Sequence, residues 1–73
     1  MDKKFVVTVA ARVDARRIEC GLSVNGLASA SGIPVTSLRR KLEGHADFGV
    51  GELFTVGRIL DTTANALIEG VAA

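Results

Sequence analysis

The residues with most chemistry to offer are three consecutive cations, Arg39, Arg40 and Lys41, in a short segment between Pro34 and Gly44. A guanidinium is a planar fork of N–H donors and a lysine ammonium a compact positive charge, so such a cluster suits the paired oxygens of a polyanion. A triplet of this kind is more often a plain solvated helix face, but its position directly after Gly32 and Pro34 favours a binding role. The charge along the chain points the same way. Residues 1–46 hold eight basic groups against four acidic ones, and residues 47–73 hold Arg58 against four acidic ones, although the net charge is only +1. Folded, the chain would have a basic end and an acidic end, the arrangement expected where one face meets a polyanion.

Other chemistries find little support. Cys20 is the single cysteine; it cannot close an intramolecular disulfide, and it is expected to be buried packing material in a reducing cytoplasm. His45 lacks a second ligand nearby, so no metal is expected and a phosphate contact is its better role. Phe5, Phe48 and Phe54 are too scattered for a stacking platform on single strands. There is no GxxxxGK phosphate loop, no Cys and His cluster, and no carboxylate pair that short helices would bring into a cleft. An enzyme is therefore not expected, nor a cofactor, nor a small-molecule ligand. The apolar run at residues 5–11 is interrupted by Thr8 and followed by charges, too short to cross a bilayer, so neither a targeting segment nor membrane contact is expected.

These side chains need elements to hold them. The chain has 73 residues, 48% of them apolar and 23% charged, which suits one folded domain over residues 1–73. A chain this short buries only roughly 60% of its unfolded surface, so every element must feed one core and little area is left for a pocket. Helical spacing of Phe5, Val6, Val9, Val13 and Cys20 predicts a first helix from Lys3 to Cys20, stopped by Gly21. The β-favouring run Phe5–Val9 leaves an edge strand as the alternative there. Ser23 caps a second helix through Ser31, which Gly32 ends. The third begins with Pro34 at its first helical position and runs to Glu43, with Val35, Leu38 and Leu42 on its apolar stripe and Arg39, Arg40 and Lys41 on the flank and opposite side. A loop over His45–Phe48 leads to a fourth helix, Val50 to Leu60, whose stripe is Leu53, Val56, Ile59 and Leu60. Thr63 caps a last helix carrying Ala66, Leu67 and Val71. The expectation is an all-α domain of four to five short helices.

Within this frame, residues 22–44 carry a Leu22-Ser23 start, a Leu27-Ala28 pair, Gly32 in a turn, Ile33 after it, Leu38 in mid-helix and a closing Gly44. This pattern resembles the helix-turn-helix of the lambda repressor and Cro family, also called the XRE family. The resemblance extends upstream through ARVDARRIECGLS and downstream through DFGVGELFTVGRILDTTANALIE, about residues 11–69. It implies a compact lambda repressor-like domain with a central helix-turn-helix at about residues 23–43, acting as a sequence-specific double-stranded DNA-binding transcriptional regulator, of phage or prophage Cro type, in the cytoplasm or nucleoid of a bacterial host.

In such proteins the second helix of the motif lies in the major groove. The matching base-reading positions are Val35, Thr36, Arg39 and Arg40, with Arg40 the first choice for a bidentate contact to guanine O6 and N7. Ser23, Asn25, Ser37, Lys41 and His45 are the expected DNA backbone contacts. One short helix reads few base pairs, so a homodimer, in solution or only on the operator, is implied, with Leu67, Ile68 and Val71 as its surface. The chain departs from the family in three places. Val24 stands where a Gln is usual. Leu42 stands where a Glu would pair with Arg17, leaving Glu43 or Glu52 as the substitute. The loop after the third helix reads His45, Ala46, Asp47 rather than basic. A second reading keeps the scaffold as a protein-interaction module, an antitoxin or inhibitor, with little specific DNA binding.

Overall fold

In the computed structural model, which describes residues 3–70, five helices follow in order: α1 (Lys3–Glu19), α2 (Val24–Ser31), α3 (Val35–Leu42), α4 (Val50–Ile59) and α5 (Ala64–Ile68). The all-α expectation holds, and among the described residues there is no strand. The Phe5–Val9 run is helical, so the edge-strand alternative falls. Tertiary packing decides this against local propensity: Val9, Ala10 and Val13, at spacings of one and four, share one helix face and are all buried, whereas on a strand the neighbours Val9 and Ala10 would point to opposite sides.

The boundaries follow from how each helix end finds hydrogen bonds. Ser23 caps α2 by accepting from the Gly26 N–H at 2.9 Å, and Thr63 caps α5 by accepting from the Ala66 N–H at 3.0 Å. At the other ends, α1, α3 and α4 close with the same paired backbone bonds: the N–H groups of Leu22, His45 and Thr62 reach back to Arg17, Arg40 and Gly57. This turn needs one left-handed residue, supplied by Gly21, Gly44 and, unusually, Asp61 at φ 56. Gly32 ends α2 in the same region, at φ 78. Pro34 differs by one position from expectation. With φ −54 and ψ 139 it stands before the helix as its N-cap, its carbonyl accepting from the Leu38 N–H at 2.9 Å, and α3 begins at Val35.

Each element contributes to one core. Val13, Leu27, Leu38, Val56 and Leu60 are fully buried, joined by Ile33 from the turn and by Ala64 and Leu67 from α5. α2 is the hub, packing on α3 and α4, while α1 lies across α3 and α5. The small Ala28, 8% exposed, lets α3 come close to α2. Two apolar expectations fail. Cys20 is exposed, because it falls in the turn after α1, with Sγ only 3.4 Å from the Leu60 carbonyl. Ala66 faces outward, and Ala64 takes the buried place. Val71 lies outside the described residues. No helix among the described residues is long and apolar enough to cross a membrane.

Candidate nucleic-acid interface

The third helix is a lever with one deep anchor. Leu38 is fully buried, Leu42 packs partly against the core, and Ser37 is half-buried on the shoulder. Val35, Thr36, Arg39 and Arg40 follow at spacings of one, four and five residues, which on a helix is one continuous face. All four are exposed. Among the described residues, the Arg39 and Arg40 guanidinium groups have no ion pair and no side-chain hydrogen bond. Arg39 borders a shallow hollow shared with Asp14 and Glu43. The expected base-reading residues are thus brought together on a solvent-facing stripe, rooted by a leucine that fixes it against α1 and α2.

The expected backbone contacts divide. Ser23 and Asn25 are exposed at the start of α2, where the first intrahelical bond is Leu27 N–H to the Ser23 carbonyl at 2.9 Å. The Val24 and Asn25 amides precede it and are orphan donors at a helix N-terminus, the geometry that suits an anion. His45 is exposed immediately after α3, and its backbone N–H closes the helix end on the Arg40 carbonyl at 2.9 Å. Lys41 is placed differently. Its ammonium lies 2.6 and 2.7 Å from the two Glu52 carboxylate oxygens, and its side chain is only 16% exposed. Glu52 is itself fixed, since Oε1 also accepts from the Gly49 N–H at 2.8 Å at the start of α4. Burial alone would push the Glu52 carboxyl pKa up, but the Lys41 and Gly49 hydrogen bonds and the nearby ammonium outweigh it and hold the net value below the usual range.

Three further arginines hold the molecule together. Arg17 pairs with Asp14 at 2.8 Å and donates to the Leu22 carbonyl at 2.8 Å. Neither Glu43 nor Glu52 substitutes for the missing family glutamate, because a partner one turn back on α1 needs no reach across the core. Arg16 donates to the Leu60 and Asp61 carbonyls at 2.7 and 3.1 Å, and Arg12 to the Glu69 carbonyl at 2.6 Å. Both therefore serve the C-terminal ends of α4 and α5, where a cation also opposes the helix dipole. The spacing of four between Arg12 and Arg16, which puts both on one face of α1, is the sequence signal for this shared role. Arg12, Arg16, Arg17 and Lys41 are thus engaged inside the molecule, while Arg39 and Arg40 stay exposed on α3.

A groove is also present, although a chain this short was expected to leave little area for one. An open, mostly apolar groove of about 600 Å³ runs between α4 and α5, lined by Val50, Leu53, Phe54, Arg58 and Ile68 among others. Val50 and Phe54 are 73% and 62% exposed, the largest apolar groups left to solvent on α4. Leu67, expected on a dimer surface, is 4% exposed and belongs to the core, whereas Ile68 does line the groove.

No protein-family model and no curated protein matches the chain. Among solved structures it is similar to the clp gene regulator ClgR from Corynebacterium glutamicum, with a TM-score of 0.85 and 19% sequence identity over 93% of this chain and 72% of that one. At that identity the likeness shows a shared fold, a helical helix-turn-helix domain.

Proposed function

We propose that the protein is a sequence-specific double-stranded DNA-binding transcriptional regulator that reads the major groove with α3. The observation that carries this reading is the exposed stripe Val35, Thr36, Arg39 and Arg40 on a helix rooted by Leu38, its two guanidinium groups without an ion pair among the described residues. Arg40 is the bidentate guanine reader, since Arg39 shares its hollow with Asp14 and Glu43. Thr36 and Val35 meet a base edge and a thymine methyl. Ser23, Asn25, Ser37 and His45 hold phosphates and set register. That the structural neighbour is a gene regulator agrees with this reading, as does the resemblance to Cro-type repressors.

Two copies act together on palindromic half-sites about one helical turn apart. The partner for the α4–α5 groove is a second copy of this chain, seated on Val50, Phe54 and Ile68. A stable dimer buries about 800 Å² and 20–30 residues on each side. The groove is lined by nine residues, so pairing belongs on the operator, where DNA holds both copies, rather than free in solution.

Selection from a random duplex library tests the function. The expected result is enrichment of one two-fold symmetric sequence, bound with affinity that falls steeply as salt rises and far above random competitor. Weak duplex binding without preference would instead favour a protein-interaction module, an antitoxin or inhibitor on the same scaffold.

A further inference from the structure

We infer that Lys41 and Glu52 form a positioning pair that sets the pose of α3, and that Lys41 makes no phosphate contact. The inference rests on the reading of α3 as the groove-reading helix and reassigns one of its residues.

α3 is eight residues long and buries one side chain completely, Leu38, with Leu42 partly covered. A single deep knob fixes where a short helix sits but leaves its rotation and tilt about that knob poorly determined. The groove demands the opposite, since a bidentate arginine contact tolerates little angular error. α3 packs on α1 and α2, whereas α4 packs on α2 and α5. The Lys41–Glu52 pair links the last turn of α3 to the first turn of α4, spanning eleven residues of sequence.

The pair is built to be stiff. Both carboxylate oxygens meet the ammonium, at 2.6 and 2.7 Å, so it is held from two sides. The carboxylate is in turn tied to backbone through the Gly49 N–H at 2.8 Å. A cation in the last turn of one helix and an anion in the first turn of the next each oppose their own helix dipole, so the charges are favoured where they stand even before they meet. A phosphate approaching Lys41 would have to displace a carboxylate that makes two short contacts. Arg39 and Arg40, the two residues before it, face solvent without such competition.

Glu52→Gln separates the two roles of Lys41. The amide oxygen still accepts from the Gly49 N–H, so the helix start is kept while the ion pair is lost. In the free protein, E52Q and Lys41→Met should raise amide exchange in the last turn of α3 about fivefold, leaving α2 unchanged, and Lys41→Arg should restore wild-type protection. On the selected duplex, both E52Q and K41M should weaken binding about fivefold while the slope of log affinity against log salt stays that of wild type. The inference is overturned if E52Q tightens binding and steepens that slope, since Lys41 would then be a phosphate ligand that Glu52 merely neutralises. It is overturned equally if K41M flattens the slope by about 0.9, one phosphate contact. Unchanged exchange in E52Q removes the positioning role whatever the protein binds. A wild type with no duplex preference fails the reading of α3 instead, and the exchange result still decides the pair.

Discussion

Replacing Arg16 with methionine keeps the aliphatic stem against α1 and deletes the guanidinium that serves the end of α4. Its Nε to the Leu60 carbonyl is 2.7 Å and its Nη2 to the Asp61 carbonyl 3.1 Å, while the Glu19 contact at 3.4 Å is exposed and adds little. A hydrogen bond from a charged donor is worth about 1.5–3 kcal/mol when well buried. The Arg16 side chain is 35% exposed, so water can reach these carbonyls once the arginine is gone. We therefore take the low end for the short bond and about 0.5 kcal/mol for the longer one, about 2 kcal/mol together. In a domain of this size each kcal/mol moves the melting midpoint by about 4–8 °C, so R16M should melt about 8–16 °C below wild type by far-ultraviolet circular dichroism. Arg16→Lys, a point charge without the fork, should fall between them. A midpoint for R16M within about 2 °C of wild type would refute the claim that α1 holds α4 through this contact.

Other perturbations reach other parts of the account. Asp61→Gly should stabilise the domain by about 0.5–1 kcal/mol, since Asp61 alone among the non-glycine residues described takes a positive φ, 56°; a lower melting midpoint would mean that its side chain outweighs the backbone strain. The Glu52 carboxyl, held below its ordinary value of 4.5 by Lys41 and Gly49 despite its burial, contributes stability in full above that value. This contribution disappears as pH falls through the lowered folded value. The gap in stability between wild type and E52Q should thus close on acidification, and a gap independent of pH would contradict the ion pair. Phe54→Ser, at a position 62% exposed, should leave monomer stability within about 0.5 kcal/mol and single half-site binding unchanged, yet abolish cooperative filling of paired half-sites. Retained cooperativity would place the contact between copies elsewhere.

Much of the fold is legible in the sequence because short helices announce their ends. Ser23 and Thr63 start, and Gly32 and Gly44 stop, the helices they were expected to, each through local geometry that depends on few other residues. Leu38 and its exposed neighbours follow from helical period alone. What stayed hidden depends on distant pairs. Arg16 and Leu60 are 44 positions apart and Arg12 and Glu69 are 57 apart, and a carbonyl at a helix end carries no residue-type signal that would mark it as an acceptor. Lys41 looked like its neighbours Arg39 and Arg40 because charge counting cannot see which cation turns inward. Glu52, three residues after Gly49, stood at the position where a side chain reaches back to cap a helix, and that was the one local hint of its role. The hydrophobic spacing that includes Cys20 runs one residue past Glu19, where α1 ends and the turn through Gly21 begins, so Cys20 faces solvent.

If Arg39 and Arg40, which have no ion pair among the described residues, read DNA, the double substitution Arg39→Ala and Arg40→Ala removes the reading. Circular dichroism should show helicity unchanged, since neither side chain is buried. In gel shift on the selected duplex at moderate salt, the double variant should fall to the level of random competitor while wild type retains its preference. Equal binding by the two proteins, with the same preference and the same salt slope, would contradict the account.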